Sequence, residues 1–346
     1  MTGRDIFMRS LRRHPVPRPA VGSATSIVTS DLMEAVGVFF PEAHLEAAKM
    51  AALAAAGHTQ LGMDNVMPLF SVWHESAALG CPMDWGDRSR MPDSRGAIHA
   101  IDDPIDIPAD LLTRPETRVP LEAIAALRRD LGGRVAVVGK VFGPWTLGYH
   151  LFGVEEFLVN TLLKPDRVRS ALDSLKEVTV AFALAQIEAG ADALCLGDHA
   201  TRDLCSPEAY RDFLQPIHRE LAERIPCPLI LHICGDTSDR LVYIRDTQVA
   251  CFHFDSKVPA ASARRLAGER LSLMGGTSNI AIIRNALEGQ VRAEALEKVA
   301  EGIEVIGPEC AVPLDAPWKN LRALSQAARG RRQPPRPFSP GPATRA

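Results

Sequence analysis

Apolar, strand-like runs alternate with helix-like segments along almost the whole chain, and this alternation limits the folds open to it. The strand-like runs are RPAVGSA (18–24, weak), GMDNVMPLF (62–70), RVAVVGKVFGP (134–144), ADALCLGDHA (191–200), CPLILHICGD (227–236), VACFHFDS (249–256), RLSLMGGTS (270–278) and GIEVIGPECAVP (302–313). An opening helix precedes them, and PEAHLEAAKMAALAAAG (41–57) and VPLEAIAALRRDLGG (119–133) follow as helices closed by glycine. Residues 154–190 give two helices broken near Lys164-Pro165, and 206–225 opens with a Ser N-cap and Pro at the first helical position. A helical pair spans 279–302, and DAPWKNLRALSQAA (315–328) is a last helix with Asp315 as its cap. Strands that alternate with helices predict a parallel sheet. About eight such units in roughly 300 residues fit an α/β (β/α)8 TIM barrel, whose active site lies at the C-terminal ends of the strands. A doubly wound open sheet is the alternative, but no G-x-G-x-x-G fingerprint accompanies it.

The expected organisation is one barrel domain over 1–328 and a disordered Pro/Arg-rich tail over 329–346, RGRRQPPRPFSPGPATRA. The segment from about 73 to 115 is irregular and long enough to be a functional excursion over a site. A net charge of −3 gives no reason to expect nucleic acid or an anionic membrane as partner. No apolar run reaches the ~18 residues of a membrane span. The N-terminal MTGRDIFMRSLRRHP lacks the apolar core of a secretory signal and reads as a surface helix. Seven widely spread cysteines, an odd number, suit reduced thiols in a cytoplasmic protein.

In a barrel every strand terminus faces one mouth. The expected strand ends carry Asn65 and Glu75, Lys140, Asp198 and His199, His232 with Cys234 and Asp236, His253 and Asp255, Thr277 with Ser278 and Asn279, then Glu309 and Cys310. His232 and Cys234 are two apart at the end of one strand, so both project to the same side. Together with Cys310 they form a Cys2His set, which zinc accepts with one position left open. Packed core residues explain the same pattern equally well, and Cys81 is a competing ligand.

Longer stretches around these residues carry a resemblance. LHICGDTSDRL, GADALCLGDHATRDLCSPEAYRDFLQPIHREL and EVIGPECAVPLDAPWKNLRAL resemble the uroporphyrinogen decarboxylase superfamily. FPEAHLEAAKMAALAAAGHTQLGMDNV and HESAALGCPMDWG are similar to the N-terminal part of its zinc-dependent methylcobamide:coenzyme M methyltransferase branch. The resemblance covers most of 1–328 and implies a uroporphyrinogen decarboxylase-like barrel, with zinc on His232, Cys234 and Cys310. It also implies methyl transfer between the cobalt of a corrinoid (methylcobamide) protein and a small substrate, most simply a thiol such as coenzyme M. O- or N-demethylation of another substrate is an alternative. So is metal-independent decarboxylation, although the Arg-containing decarboxylase motif is not recognisable in RRHPVPRPAVGSATS (12–26).

Within that expectation Glu75 or Asp198 occupies the fourth zinc position or takes the thiol proton, and Asp255 orients a ligand or binds substrate. Lys140 meets an anionic tail, and His199 and Ser278 line the substrate. Trp73, Trp85 and Trp145 line a pocket or fill the core. The expected partners are a separate corrinoid protein and a small methyl donor or acceptor, with a homodimer as one open assembly.

Overall fold

A computed structural model describes residues 1–330 apart from Arg95; the predicted tail beyond Gly330 lies outside the described residues. The parallel strands are β1 (Ala20–Val21), β2 (Asn65–Val66), β5 (Ala136–Phe142), β6 (Ala193–Gly197), β7 (Leu229–His232), β8 (Cys251–Phe254), β9 (Ser272–Thr277) and β10 (Val305–Pro308). They lie in the order β1-β10-β9-β8-β7-β6-β5-β2, a nearly closed ring of eight with helices outside it. Strands β5 to β10 are buried along their whole length. That is why they read as continuous apolar runs rather than as an alternation of apolar and polar residues. β3 (Met83–Asp84) and β4 (Asp93–Ser94) form a separate antiparallel hairpin inside the irregular excursion.

The ring closes between β1 and β2 through side chains. The Asp64 amide donates to the Val21 carbonyl at 2.8 Å, and the Val21 amide donates to Asp64 Oδ2 at 3.0 Å. One residue further on, Asn65 Oδ1 accepts from the Ser23 amide at 3.0 Å, and its Nδ2 donates to the Ser23 carbonyl at 2.7 Å. Two side chains thus stand in for a strand ladder. A Cβ at Gly22 would sit 2.1 Å from Asn65 Oδ1, so the close approach needs glycine. Arg18 forks onto both Asp64 oxygens at 2.7 Å and balances the buried charge.

The structure redraws some predicted elements. The 41–57 helix is two, Glu42–Leu45 and Ala47–Thr59, because Glu46 is extended between them. The 62–70 strand shrinks to the two residues of β2. A helix unanticipated in the sequence, Pro144–Phe152, starts directly after β5. The last helix runs from Trp318 to Gly330, two residues into the predicted tail. Its first amide, Trp318 N–H, is met by Asp31 at 3.1 Å, whereas Asp315 pairs with Arg284 instead of capping.

Replacing Asn65 with Leu leaves the two buried Ser23 backbone groups without partners. A stability loss of about 2–4 kcal/mol is expected in urea unfolding, and a loss under about 0.5 kcal/mol would show that the seam does not depend on this side chain.

Candidate metal centre

His232 is the last residue of β7, and Cys310 lies two residues beyond β10. The ring turns their ends toward each other. His232 Nε2 is 3.0 Å from Cys234 Sγ, Cys234 Sγ is 3.0 Å from Cys310 Sγ, and Cys310 Sγ is 3.4 Å from His232 Nε2. Among the described residues these three are the group whose donor atoms converge, and no carboxylate joins them. Cys81, the competing cysteine, is elsewhere, with its thiol directed at the His150 carbonyl.

The donor set fits zinc. Tetrahedral Zn–S and Zn–N bonds hold their donors roughly 3.5–3.8 Å apart, so the observed triangle needs to widen by up to about 0.8 Å along its S–S edge. His232 Nδ1 lies 3.2 Å from the His253 carbonyl. A hydrogen bond there places the ring proton on Nδ1 and leaves the Nε2 lone pair facing the sulfurs. The two sulfurs share a hydrogen bond, and their pKa values move in opposite directions. That of Cys310 falls well below the usual thiol range, first through its hydrogen bond with Cys234. Cys234 is correspondingly pushed up, first by its bond to Cys310 and then by burial.

Two carboxylates hold the backbone around this triangle. Asp255 Oδ2 accepts from the Gly235 amide and Oδ1 from the Lys257 amide, both at 2.9 Å. Gly235 has φ 81°, and a Cβ there would lie 2.3 Å from Thr201 Oγ1, so only glycine turns the chain this tightly after Cys234. Glu309, next to Cys310, accepts from the Asn279 amide at 2.7 Å and the Ser256 amide at 3.0 Å. Burial raises its pKa. Glu309 was read from the sequence as a strand-end group without a role; its position beside Cys310 was the available signal.

A cavity of about 210 Å³ opens beside the triangle, with His232 and Cys310 in its wall. Its remaining lining is largely apolar and includes Phe70, Val72, Met91, Pro92, Phe142 and Cys195. Met91 and Pro92 lie in the 73–115 excursion; no sequence pattern marked the individual positions. Met91 and Pro92 come from the β3–β4 hairpin, which touches the body through ring contacts. Arg88 stacks 4.0 Å over Phe39, and Trp85 packs 5.4 Å from His74 and 6.1 Å from His44.

Two predicted substrate residues face the cavity. Lys140, in β5, is buried in its wall, and its Nζ donates to the Leu69 carbonyl at 3.2 Å. Burial lowers its pKa, while Cys195, Glu75 and the two cluster cysteines oppose the shift. His199 also lines it, edge-on to Phe142, and its pKa is lowered by burial and then by His232. The remaining candidates stand back from it. Glu75 is buried behind Phe142. Its Oε1 accepts from the Phe142 amide at 2.8 Å, its Oε2 has no described partner, and burial pushes its carboxyl up to about 7. Asp198 accepts from the Thr146 amide at 2.8 Å, from the Thr146 hydroxyl at 3.0 Å and from His218 Nε2 at 3.0 Å. The Thr146 hydroxyl in turn accepts from the His199 amide at 2.8 Å, which links Asp198 to the His199 backbone. Ser278 caps the turn Asn279–Arg284 by accepting from the Ala281 amide. The three tryptophans pack against other rings outside the cavity lining.

A family profile described as uroporphyrinogen decarboxylase (URO-D) matches residues 2–331. The chain belongs to the uroporphyrinogen decarboxylase family. It is 33% identical to the methylated-thiol–coenzyme M methyltransferase of Methanosarcina mazei, over 87% of this chain and 82% of that one. It is 31% identical to the methylcobamide:CoM methyltransferase MtaA of Methanosarcina barkeri, over 93% and 96% of the two chains. A solved methyltransferase structure from Methanosarcina mazei superimposes with a TM-score of 0.92 at 31% identity, covering 95% of this chain and 99% of that one. The barrel expected from the strand count and the methyltransferase branch expected from the motifs both hold: this chain is a methyltransferase of the family. Among the described residues no helix is long and apolar enough to cross a membrane.

Metal analysis of purified protein is expected to find about one zinc per chain, lost in Cys234→Ala and in Cys310→Ala. Asp255→Asn, which loosens the Cys234 turn, is expected to weaken zinc affinity by about 10–100-fold in a chelator competition. Unchanged affinity would remove Asp255 from the support of the site.

Proposed function

We propose that the enzyme moves a methyl group between the cobalt of a corrinoid carried by a partner protein and the sulfur of a small thiol, with zinc held by His232, Cys234 and Cys310. The observation that carries this reading is the convergence of one imidazole and two sulfurs, of which the imidazole and the Cys310 sulfur stand in the wall of a small, mostly apolar cavity. When bound, zinc would supply Lewis acidity that favours the thiolate form of a sulfur near it.

The chain's own residues then have separable tasks. Phe70, Val72, Met91, Pro92 and Phe142 keep water from the reacting sulfur and restrict its approach to one direction. Lys140 offers a single cation to an anionic tail of the thiol, in a setting where burial strengthens the attraction. The imidazole of His199, neutral because burial lowers its pKa, offers a hydrogen bond from the wall. Glu75, buried behind Phe142 and outside the cavity lining, holds the Phe142 backbone in the wall rather than meeting the thiol. Asp198 and Asp255 act as positioning residues, for His199 and for the Cys234 turn respectively.

A tetra-acidic porphyrinogen fits this cavity poorly. Its carboxylates would need several cations, and Lys140 is the one ammonium or guanidinium group among the lining residues. Metal-independent decarboxylation is therefore the weaker reading.

The test is demethylation of methylcobalamin by zinc-loaded protein across neutral and anionic thiols, followed through the absorbance of the methyl–cobalt bond. Thiol-dependent loss of that bond is the expected result. No transfer to any thiol, with zinc still bound, would overturn the proposal. Lys140→Met is expected to raise KM for anionic thiols about tenfold or more, with much less change for neutral ones.

Glu75 also predicts a pH signature in stability. Its folded pKa, at about 7, lies above the 4.5 usual for a glutamate in water. The folded state therefore binds an extra proton between these values, and stability from this group is full below the lower value and lost as pH rises through the upper one. Glu75→Gln is expected to flatten the stability profile over that window and to relieve a cost on the order of 3 kcal/mol above it. A parallel profile in urea unfolding would contradict the assignment.

A further inference from the structure

A second concave site lies at the opposite end of the barrel, where the strands begin. Leu61 and Gly62 precede β2, Arg134 precedes β5, and the last turns of the helix Trp318–Gly330 complete the walls. The groove encloses about 550 Å³. Three guanidinium groups line it, those of Arg134, Arg322 and Arg329, with His58 beside them and no carboxylate among the lining residues. None of the three arginines forms an ion pair with a described residue, although the chain as a whole carries 42 acidic against 39 basic side chains.

Helix-end capping accounts for only part of this arrangement. Arg329 donates one N–H to the Gly62 carbonyl at 2.7 Å, and Arg134 donates one to the Asp130 carbonyl at 3.1 Å. Arg322 lies 6.0 Å over the Trp318 ring. A guanidinium has five N–H donors, so most of each fork stays available. An independent feature points the same way. Ser325 lines the groove at 2% exposure, and its buried hydroxyl has no hydrogen-bond partner among the described residues. A buried hydroxyl left unpaired costs stability, and an oxygen-rich ligand would satisfy it.

We propose that this groove binds a phosphoryl anion, either free phosphate or the phosphate of a nucleotide. The chemistry follows from the wall. Planar forks match the oxygen spacing of a phosphoryl group, three cations suit a dianion, and Ser325 supplies a further donor. The site is remote from the cavity at the strand ends and does not depend on the transfer chemistry.

The experiment is isothermal titration of the full zinc-loaded chain at low ionic strength with inorganic phosphate, AMP and adenosine. Phosphate and AMP bind, adenosine does not, and affinity falls as sodium chloride is added. Tighter binding of AMP than of phosphate assigns the ligand to a nucleotide; equal affinity assigns it to phosphate itself. Arg322→Gln and Ser325→Ala each weaken binding, the first by about tenfold or more, while circular dichroism shows both variants folded. Absence of heat with both anions, adenosine binding as well as AMP, or affinity unchanged in a folded Arg322→Gln variant overturns the proposal.

Discussion

The approach of Cys310 to the His232–Cys234 pair is the contact on which the site depends, and local sequence cannot produce it. Cys234 and Cys310 are 76 positions apart, on the loops that follow β7 and β10. Two strands separate these in the ring, and only the curvature of a parallel sheet brings their ends to one centre. Two like sulfurs at 3.0 Å are a tense arrangement without a shared proton or a cation between them. The opposite displacement of their pKa values expresses that tension. Asp255 and Glu309 keep the loops from relaxing it away, since each ties backbone amides from more than one loop to a buried carboxylate.

Much of this was legible beforehand because barrel geometry turns order along the chain into order around a mouth. A polar residue that closes an apolar run has to lie at that mouth. His232, Cys310 and His199 satisfy this and line the cavity, Cys234 completes the donor triangle beside it, and Lys140 reaches the wall from within β5. Asp198 and Ser278 satisfy it too, yet their oxygens are engaged by Thr146, His218 and Ala281. A strand-end position gives location; the hydrogen-bond partners decide what the group is free to do, and they come from distant segments. Phe70, Met91 and Pro92 were invisible as lining for the same reason, since apolar residues in a loop look alike whether they face a cavity or the core.

The fold was legible where burial is complete and obscure where the chain closes on itself. β5 to β10 announce themselves as apolar runs. β1 and β2 are two residues each, because Asp64 and Asn65 take over most of the pairing with side chains. The cap at Trp318 is supplied by Asp31, 287 positions away, and the nearby Asp315 was the natural but mistaken choice.

The β3–β4 hairpin separates two properties that enzymes often hold in the same residues. It contributes Met91 and Pro92 to the cavity wall but none of the three converging donors, and its described contacts with the body include a guanidinium stacked over a ring and tilted ring pairs. Ring stacking tolerates small shifts in register far better than a hydrogen-bonded ladder does. A lineage could therefore lengthen, shorten or exchange this one ribbon and so acquire a new range of methyl carriers. The donor triangle and its supporting carboxylates would be left undisturbed, because they lie on other stretches of the polypeptide.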